Sequence, residues 1–182
     1  MASIGHIAVG MAAARVHRRG QRTRWTVFGA MVVWSALSLL PDADVLLFRF
    51  GVAYADAWGH RGATHSFAFA LGVAVIVAAL ALLLRLPALR TGLVAALVVA
   101  SHPVLDSMTD GGLGCALWWP FDHGRYFAPW NPIPVAPIGL RFASLWGLRV
   151  ALIEALLFCP LFIYALWPRK DAPASEGPAA RS

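Results

Sequence analysis

The sequence predicts an all-α fold: a polytopic bundle of membrane helices, with about four spans and a short N-terminal helix. Composition is the first observation that predicts it. The 182 residues are 59% hydrophobic and only 13% charged, with a mean hydropathy of +0.67. A soluble domain carries about 25% charged residues. The second is the presence of long apolar segments, at Trp25–Leu40, Ser66–Leu86, Thr91–Leu105 and Leu145–Trp167. The third is the alternation of what separates them, arginine clusters at some junctions and histidines with aspartates at the others. The length leaves room for one membrane-embedded domain, residues 1–168, and a short tail, 169–182, with no separate soluble domain.

Each element follows from local pattern. Ile4–Val16 is the short first helix, and Gly5, Ala8, Gly10, Ala12, Ala13 and Ala14 suit it to close packing. Met1–Ala14 has neither a positive leader nor a clear small-residue cleavage site, so it reads as helix rather than signal peptide. Arg15, Arg18, Arg19, Arg22 and Arg24 form a basic turn, which explains Arg18-Arg19 better than a twin-arginine signal does. Trp25–Leu40 returns from that turn and stops at Pro41-Asp42-Ala43-Asp44. His60-Arg61-Gly62-Ala63-Thr64-His65-Ser66 introduces the next helix, for which Thr64 and Ser66 are natural caps. Arg85 and Arg90 make a second basic turn, and Thr91–Leu105 runs into His102-Pro103-Val104-Leu105-Asp106. Pro103 predicts a kink near Val99.

A full span takes about 20 apolar residues. Ser66–Leu86 and Leu145–Trp167 reach that length; Trp25–Leu40 and Thr91–Leu105 fall short, which sets their polar ends at or below the headgroup level. Ser107–Ser144 is not a span. Its glycines, its Trp118-Trp119-Pro120 and its proline-broken stretch from Pro129 to Pro137 suit an interfacial lid. Gly111-Gly112-Leu113-Gly114 is a weak phosphate-loop signal, because no apolar helix follows it. The tail after Lys170 is rich in proline and alanine and is expected to be disordered and cytoplasmic.

Charge orients the bundle. The basic turns and Arg169-Lys170 fall on one side if the helices run up and down, and the positive-inside rule makes that side cytoplasmic. The net charge of +6 therefore reads as membrane orientation, and no nucleic-acid partner is expected. The same topology gathers His6, Asp42, Asp44, His60, His65, His102 and Asp106 on the opposite, non-cytoplasmic face.

Such groups are expensive at the ends of apolar helices unless something pairs them. His and carboxylate oxygens are also the ligands that a divalent ion takes. His102 and Asp106 lie four apart, so one helix face presents both to one ion. His60 and His65 lie five apart across Gly62 and need not share a face, so one can ligate while the other supports or binds substrate. Asp42 and Asp44 read as ligands or as a polar stop, and His6 as a ligand or a packed helix histidine. Arg61 reads as a bidentate contact for a phosphate or carboxylate, or as a snorkelling arginine. The metal candidates are thus His6, Asp42, Asp44, His65, His102 and Asp106, and the catalytic candidates are Arg61, His60 and Asp44. His17 and His123 stand apart, and Cys115 and Cys159 make neither a ligand pair nor a disulfide framework.

At these positions the chain resembles the YdjM-type family of membrane-bound, metal-dependent hydrolases. The resemblance rests on Gly5-His6, Pro41-Asp42-Ala43-Asp44, the His60–Ser66 element, His102-Pro103-Val104-Leu105-Asp106 with Thr109, and Leu117-Trp118-Trp119-Pro120-Phe121. It covers roughly residues 1–165 and implies a multi-pass protein of the bacterial inner membrane. The order of ligands is also similar to the zinc-dependent phospholipase C and single-strand nuclease group. That similarity implies one ion on His65, His102, Asp106 and one of Asp42 or Asp44, and a second held by His6 with a bridging Asp106. The chain lacks that group's further His and its His-x-x-x-Glu element, so one or two ions, zinc by this likeness, are implied rather than three. The expected activity is hydrolysis of a phosphoester or other headgroup bond in a lipid or small-molecule substrate at the bilayer, by metal-activated water. A ceramidase-like amide hydrolase and a non-catalytic metal-binding membrane protein are the alternatives.

Overall fold

The computed structural model describes residues 3–17 and 24–168, which form an all-helical bundle. Arg18, Arg19, Arg22 and the expected disordered tail lie outside the described residues. Helix α1 spans Ile4–His17, α2 Arg24–Leu39, α3 Phe67–Leu83, α4 Ala88–Ser107, α5 Leu145–Leu157 and α6 Cys159–Leu166. Helix α1 packs along α2, and α3 along α4; α4 also touches α1 and α2, and α6 lies on α1.

Close approach depends on small residues. The central cluster joins Ala14, Ala30, Met31, Trp34, Ala74, Ala95, Val98 and Ala165. Gly10 marks the tightest crossing, because a Cβ there would lie 2.4 Å from the Ser35 Cα on α2. Large apolar side chains such as Val33, Leu80, Leu97 and Leu152 point outward, a surface that suits hydrocarbon rather than water.

The spans differ in detail from the sequence expectation. Trp25–Leu40 does not stop short. The chain tightens into a 3₁₀ helix over Leu40–Phe50 that ends on left-handed Gly51, so Val27–Phe50 is long and apolar enough to cross a membrane. Ala88–Ser107 qualifies too, because α4 begins ahead of Thr91 and runs unbroken through Pro103. Leu145–Trp167 is not one straight rod. It bends by 61° where α5 gives way to α6. Pro160, in the first turn of α6, cannot donate to the turn before it, and its ring would clash with the carbonyl of Leu156 in a continuous helix. Helix α3 is a shorter apolar helix of 17 residues. By length and composition, two helices among the described residues can thus cross a membrane, or up to three if the bent pair is one span.

The two ends of the bundle carry opposite chemistry. At one end Arg90 Nη2 donates to Val16 O at 2.9 Å, Arg15 Nη1 to Ala165 O at 2.9 Å, and His17 Nε2 meets Thr91 Oγ1 at 2.9 Å. At the other end lie the start of α1, the 3₁₀ extension of α2, the start of α3 and the end of α4. The segment from Met108 to Ser144 folds over this second end. Arg125 ties it down by donating to His60 O, Tyr54 O and Asp56 O, and Phe67 N donates to Leu117 O at 3.0 Å. Trp118, Phe121 and Trp130 remain exposed on its outer side.

Candidate metal centre

Four helix ends converge on one cluster. Ser66 caps α3 as its sequence predicts, its Oγ accepting from Phe69 N at 3.0 Å, and this fixes the residues just before it. Within it, His65 is fully buried at the mouth of the helix. His102 and Asp106, one turn apart on α4, are buried beside it. Asp42 and Asp44 arrive on the 3₁₀ helix. At three residues per turn, two positions of separation point side chains roughly 120° apart. Asp42 therefore faces His65 and His102, at 3.5 and 3.3 Å from their Nε2 atoms. Asp44 faces the other way, with Oδ1 2.8 Å from His60 Nδ1 and Oδ2 3.2 Å from His65 Nδ1.

Hydrogen bonds assign the imidazole tautomers. His102 Nδ1 lies 2.7 Å from the Ser38 carbonyl, which can only accept, so Nδ1 carries the proton and Nε2 the lone pair. Thr64 Oγ1 donates to Asp44 Oδ2 at 2.8 Å and accepts from His65 Nδ1 at 3.1 Å, which likewise leaves His65 Nε2 as the lone pair. The two lone pairs face each other at 3.1 Å. That contact is repulsive for two neutral rings and is relieved by a proton or a metal ion between them.

The donor set fits a divalent ion. One ligand atom from each of Asp42, His65, His102 and Asp106 lies within 4.8 Å of the others. Bonds of ~2.0–2.1 Å set the ligand atoms of a tetrahedral ion about 3.3–3.4 Å apart. The separations here are 3.1 Å between the histidines, 3.3 and 3.5 Å to Asp42, and 3.7 Å from His65 to Asp106. Two imidazoles with two carboxylates are a ligand set that suits zinc and its neighbours. Asp44, His60 and His65 form a second, adjoining group of the same kind.

Other expected site residues sit around this core. His6 joins neither ligand group; its Nε2 is 3.2 Å from Asp106 Oδ1, and its ring stacks on His102 at 3.7 Å. Arg61 neither snorkels nor stands exposed. It is buried, at a left-handed φ of 65°, with Nε 3.3 Å from Asp106 Oδ2 and Nη1 donating to Gly111 O at 2.9 Å. Gly112 makes room for it, since a Cβ there would meet Arg61 Nη1 at 2.9 Å. His60 is buried against Asp44, within 4.0 Å of Asp42. His123 lies on the covering segment and His17 at the far end, while both cysteines are free. Burial pushes the Cys115 thiol up to about 12, which leaves no thiolate there.

Glu154 escaped the sequence reading. It is fully buried on α5 and accepts from Gly5 N at 3.2 Å, pinning the start of α1 one residue before His6. A lone acid inside an apolar span was the available signal. Thr109, buried with its Oγ1 donating to Asp106 O at 2.8 Å, closes the end of α4.

Comparison with known proteins places these residues in a family context. The family described as YdjM inner membrane protein matches residues 1–171. The inner membrane protein YbcI of Escherichia coli (strain K12) is 41% identical over 139 residues, covering 74% of this chain and 80% of that protein. No solved structure matches.

Proposed function

The chain belongs to the YdjM inner membrane protein family, and from that premise we propose that it is a metal-dependent membrane hydrolase. Its substrate is a phosphoester or other headgroup bond of a lipid. The observation that carries this reading is the convergence of the His65 and His102 lone pairs with Asp42 and Asp106. Asp42, His65, His102 and Asp106 are the ligands, and zinc suits them. A bound divalent ion brings the pKa of water to about 7 and offsets negative charge in the transition state.

The remaining residues position and assist. Asp44 and Thr64 orient His65 from behind, and the Ser38 carbonyl does the same for His102. His6 steadies Asp106 by donating to Oδ1. His60, paired with Asp44, is the proton-transfer group, and Arg61 stabilises negative charge beside Asp106. The protein is read as multi-pass, with α3 and the bent pair completing about four spans and the site on the non-cytoplasmic face.

A structural ion is the second reading, favoured by the count of four protein ligands, since closed sites are structural. Asp42 argues against closure. Its side chain is 24% exposed while the other three ligands are buried, so substrate and water have an approach on that side. Headgroup release from a panel of phospholipids and N-acyl lipids tests the proposal. Release from phospholipids by the parent, lost in His102→Ala, is expected. Cleavage of N-acyl lipids alone points to amide hydrolysis, and a metal-loaded protein inert on every lipid leaves the structural ion.

A further inference from the structure

Helices α2 and α3 make no direct backbone contact; each leans on α4. Between them lies an apolar cavity of about 660 Å³, with Val33 and Ala36 on one wall and Leu80 and Ala81 on the other. Val33 and Leu80 are more than half exposed, so the cavity is a groove open sideways to the surroundings of the bundle. Its far end stops at His17 and Thr91, whose polar atoms are already bonded to each other at 2.9 Å. Its near end is Leu40, which directly precedes Pro41 and the ligand Asp42. The same turn of α2 carries Ser38, whose carbonyl holds His102.

Length and surroundings define the occupant. From Gly29 to Leu40 at ~1.5 Å per residue the groove runs about 16 Å. One leaflet of a hydrocarbon core ~30 Å thick is about 15 Å deep. We propose that this groove seats one acyl chain of a membrane lipid whose headgroup lies at the Asp42 side of the metal centre. The seat deepens the hydrolase reading and rests on it for what happens to the lipid: the substrate is a chain-bearing lipid, not a soluble phosphoester. An apolar tail gains nothing from water-filled clefts, but a groove of leaflet depth that ends beside the ligands holds the chain in register with them.

The test uses the full chain in nanodiscs of phosphatidylethanolamine and phosphatidylglycerol, doped with a phosphatidylethanolamine carrying a mid-chain diazirine. Photolabelling should concentrate on peptides holding Val33–Leu37 and Val77–Ala81, above the level at outward-facing Leu97 and Leu152. Two variants plug the groove without disturbing packing. Ala36 is exposed, and a Cβ on Gly29 meets nothing within 4 Å. Ala36→Trp and Gly29→Leu should each lower groove labelling about tenfold, the scale of losing two buried methylenes, with bound metal unchanged. Equal labelling at Leu97 and Leu152, or plugs without effect, overturns the proposal. So does a dimer cross-linked through α2 with no lipid label in the groove. In headgroup release, Gly29→Leu should shift the preference to shorter acyl chains. A parent with groove labelling but no hydrolysis of any lipid defeats the enzymatic reading and leaves the seat standing.

Discussion

Asp42 and Asp44 are two residues apart, yet they occupy opposite sides of His65, one at Nε2 and the other at Nδ1. The sequence offered both as ligands because nothing in it sets the phase of the backbone between them. That phase comes from the 3₁₀ turn after Pro41. Their substitutions should therefore differ in kind. His102→Ala and Asp106→Ala, at the lone-pair side, should lose the ion outright in elemental analysis of purified protein. Asp44→Asn should keep it but bind about 10- to 100-fold more weakly, the usual effect of removing a partner behind a histidine ligand. Equal loss in all three would place Asp44 among the ligands. Arg61 is the other residue whose setting was illegible, since its burial depends on Gly111 and Gly112, far along the chain. A lysine keeps the charge but cannot reach Asp106 and Gly111 O together. Arg61→Lys should retain metal while turnover falls about 10- to 100-fold, or ~1.4–2.7 kcal/mol of transition-state stabilisation. Parental turnover would remove the argument for anionic charge at that point.

Helix starts and ends were largely readable where a chemical punctuation mark stands. Ser66 caps α3, and of the small residues of the first helix Gly5, Ala8, Gly10 and Ala14 are buried, with Gly10 at the crossing with α2. Gly10 sits so close to α2 that even a methyl group meets the backbone of Ser35 and Trp34. Gly10→Ala should therefore cost about 1–3 kcal/mol of stability through forced separation of the helices. Gly29→Leu, facing open space, should be close to neutral. Unfolding of the two variants in the same detergent distinguishes them, and a neutral Gly10→Ala would mean that α1 and α2 are not held this tightly. What the sequence concealed at this scale is continuation and breakage. Hydropathy falls at Pro41 although helical backbone goes on, and stays high through Phe158 although the helix breaks. The covering segment was legible as a non-spanning lid, but not its anchors; Arg125 on His60 O and Phe67 on Leu117 O pair residues distant in sequence.

At the scale of the whole molecule, charge alone separated the two ends, because arginines and ligand residues alternate at successive helix junctions. The described arginines Arg15 and Arg90 do share one end, with the ligand cluster at the other. The positive-inside rule is the ground on which the arginine end is proposed to be cytoplasmic. A reporter fused after Lys170 should read as cytoplasmic, and one inserted near Gly124 on the covering segment as external. The reverse pattern would put the metal face in the cytoplasm. The central claim, that an ion on Asp42, His65, His102 and Asp106 performs hydrolysis, has one direct measurement. Headgroup release is followed in purified protein as isolated, after chelation, and during titration with zinc. Activity should vanish on chelation and return in proportion to zinc up to one or two equivalents per chain. Release that survives complete removal of metal, or a fully reloaded protein that releases nothing, contradicts the account.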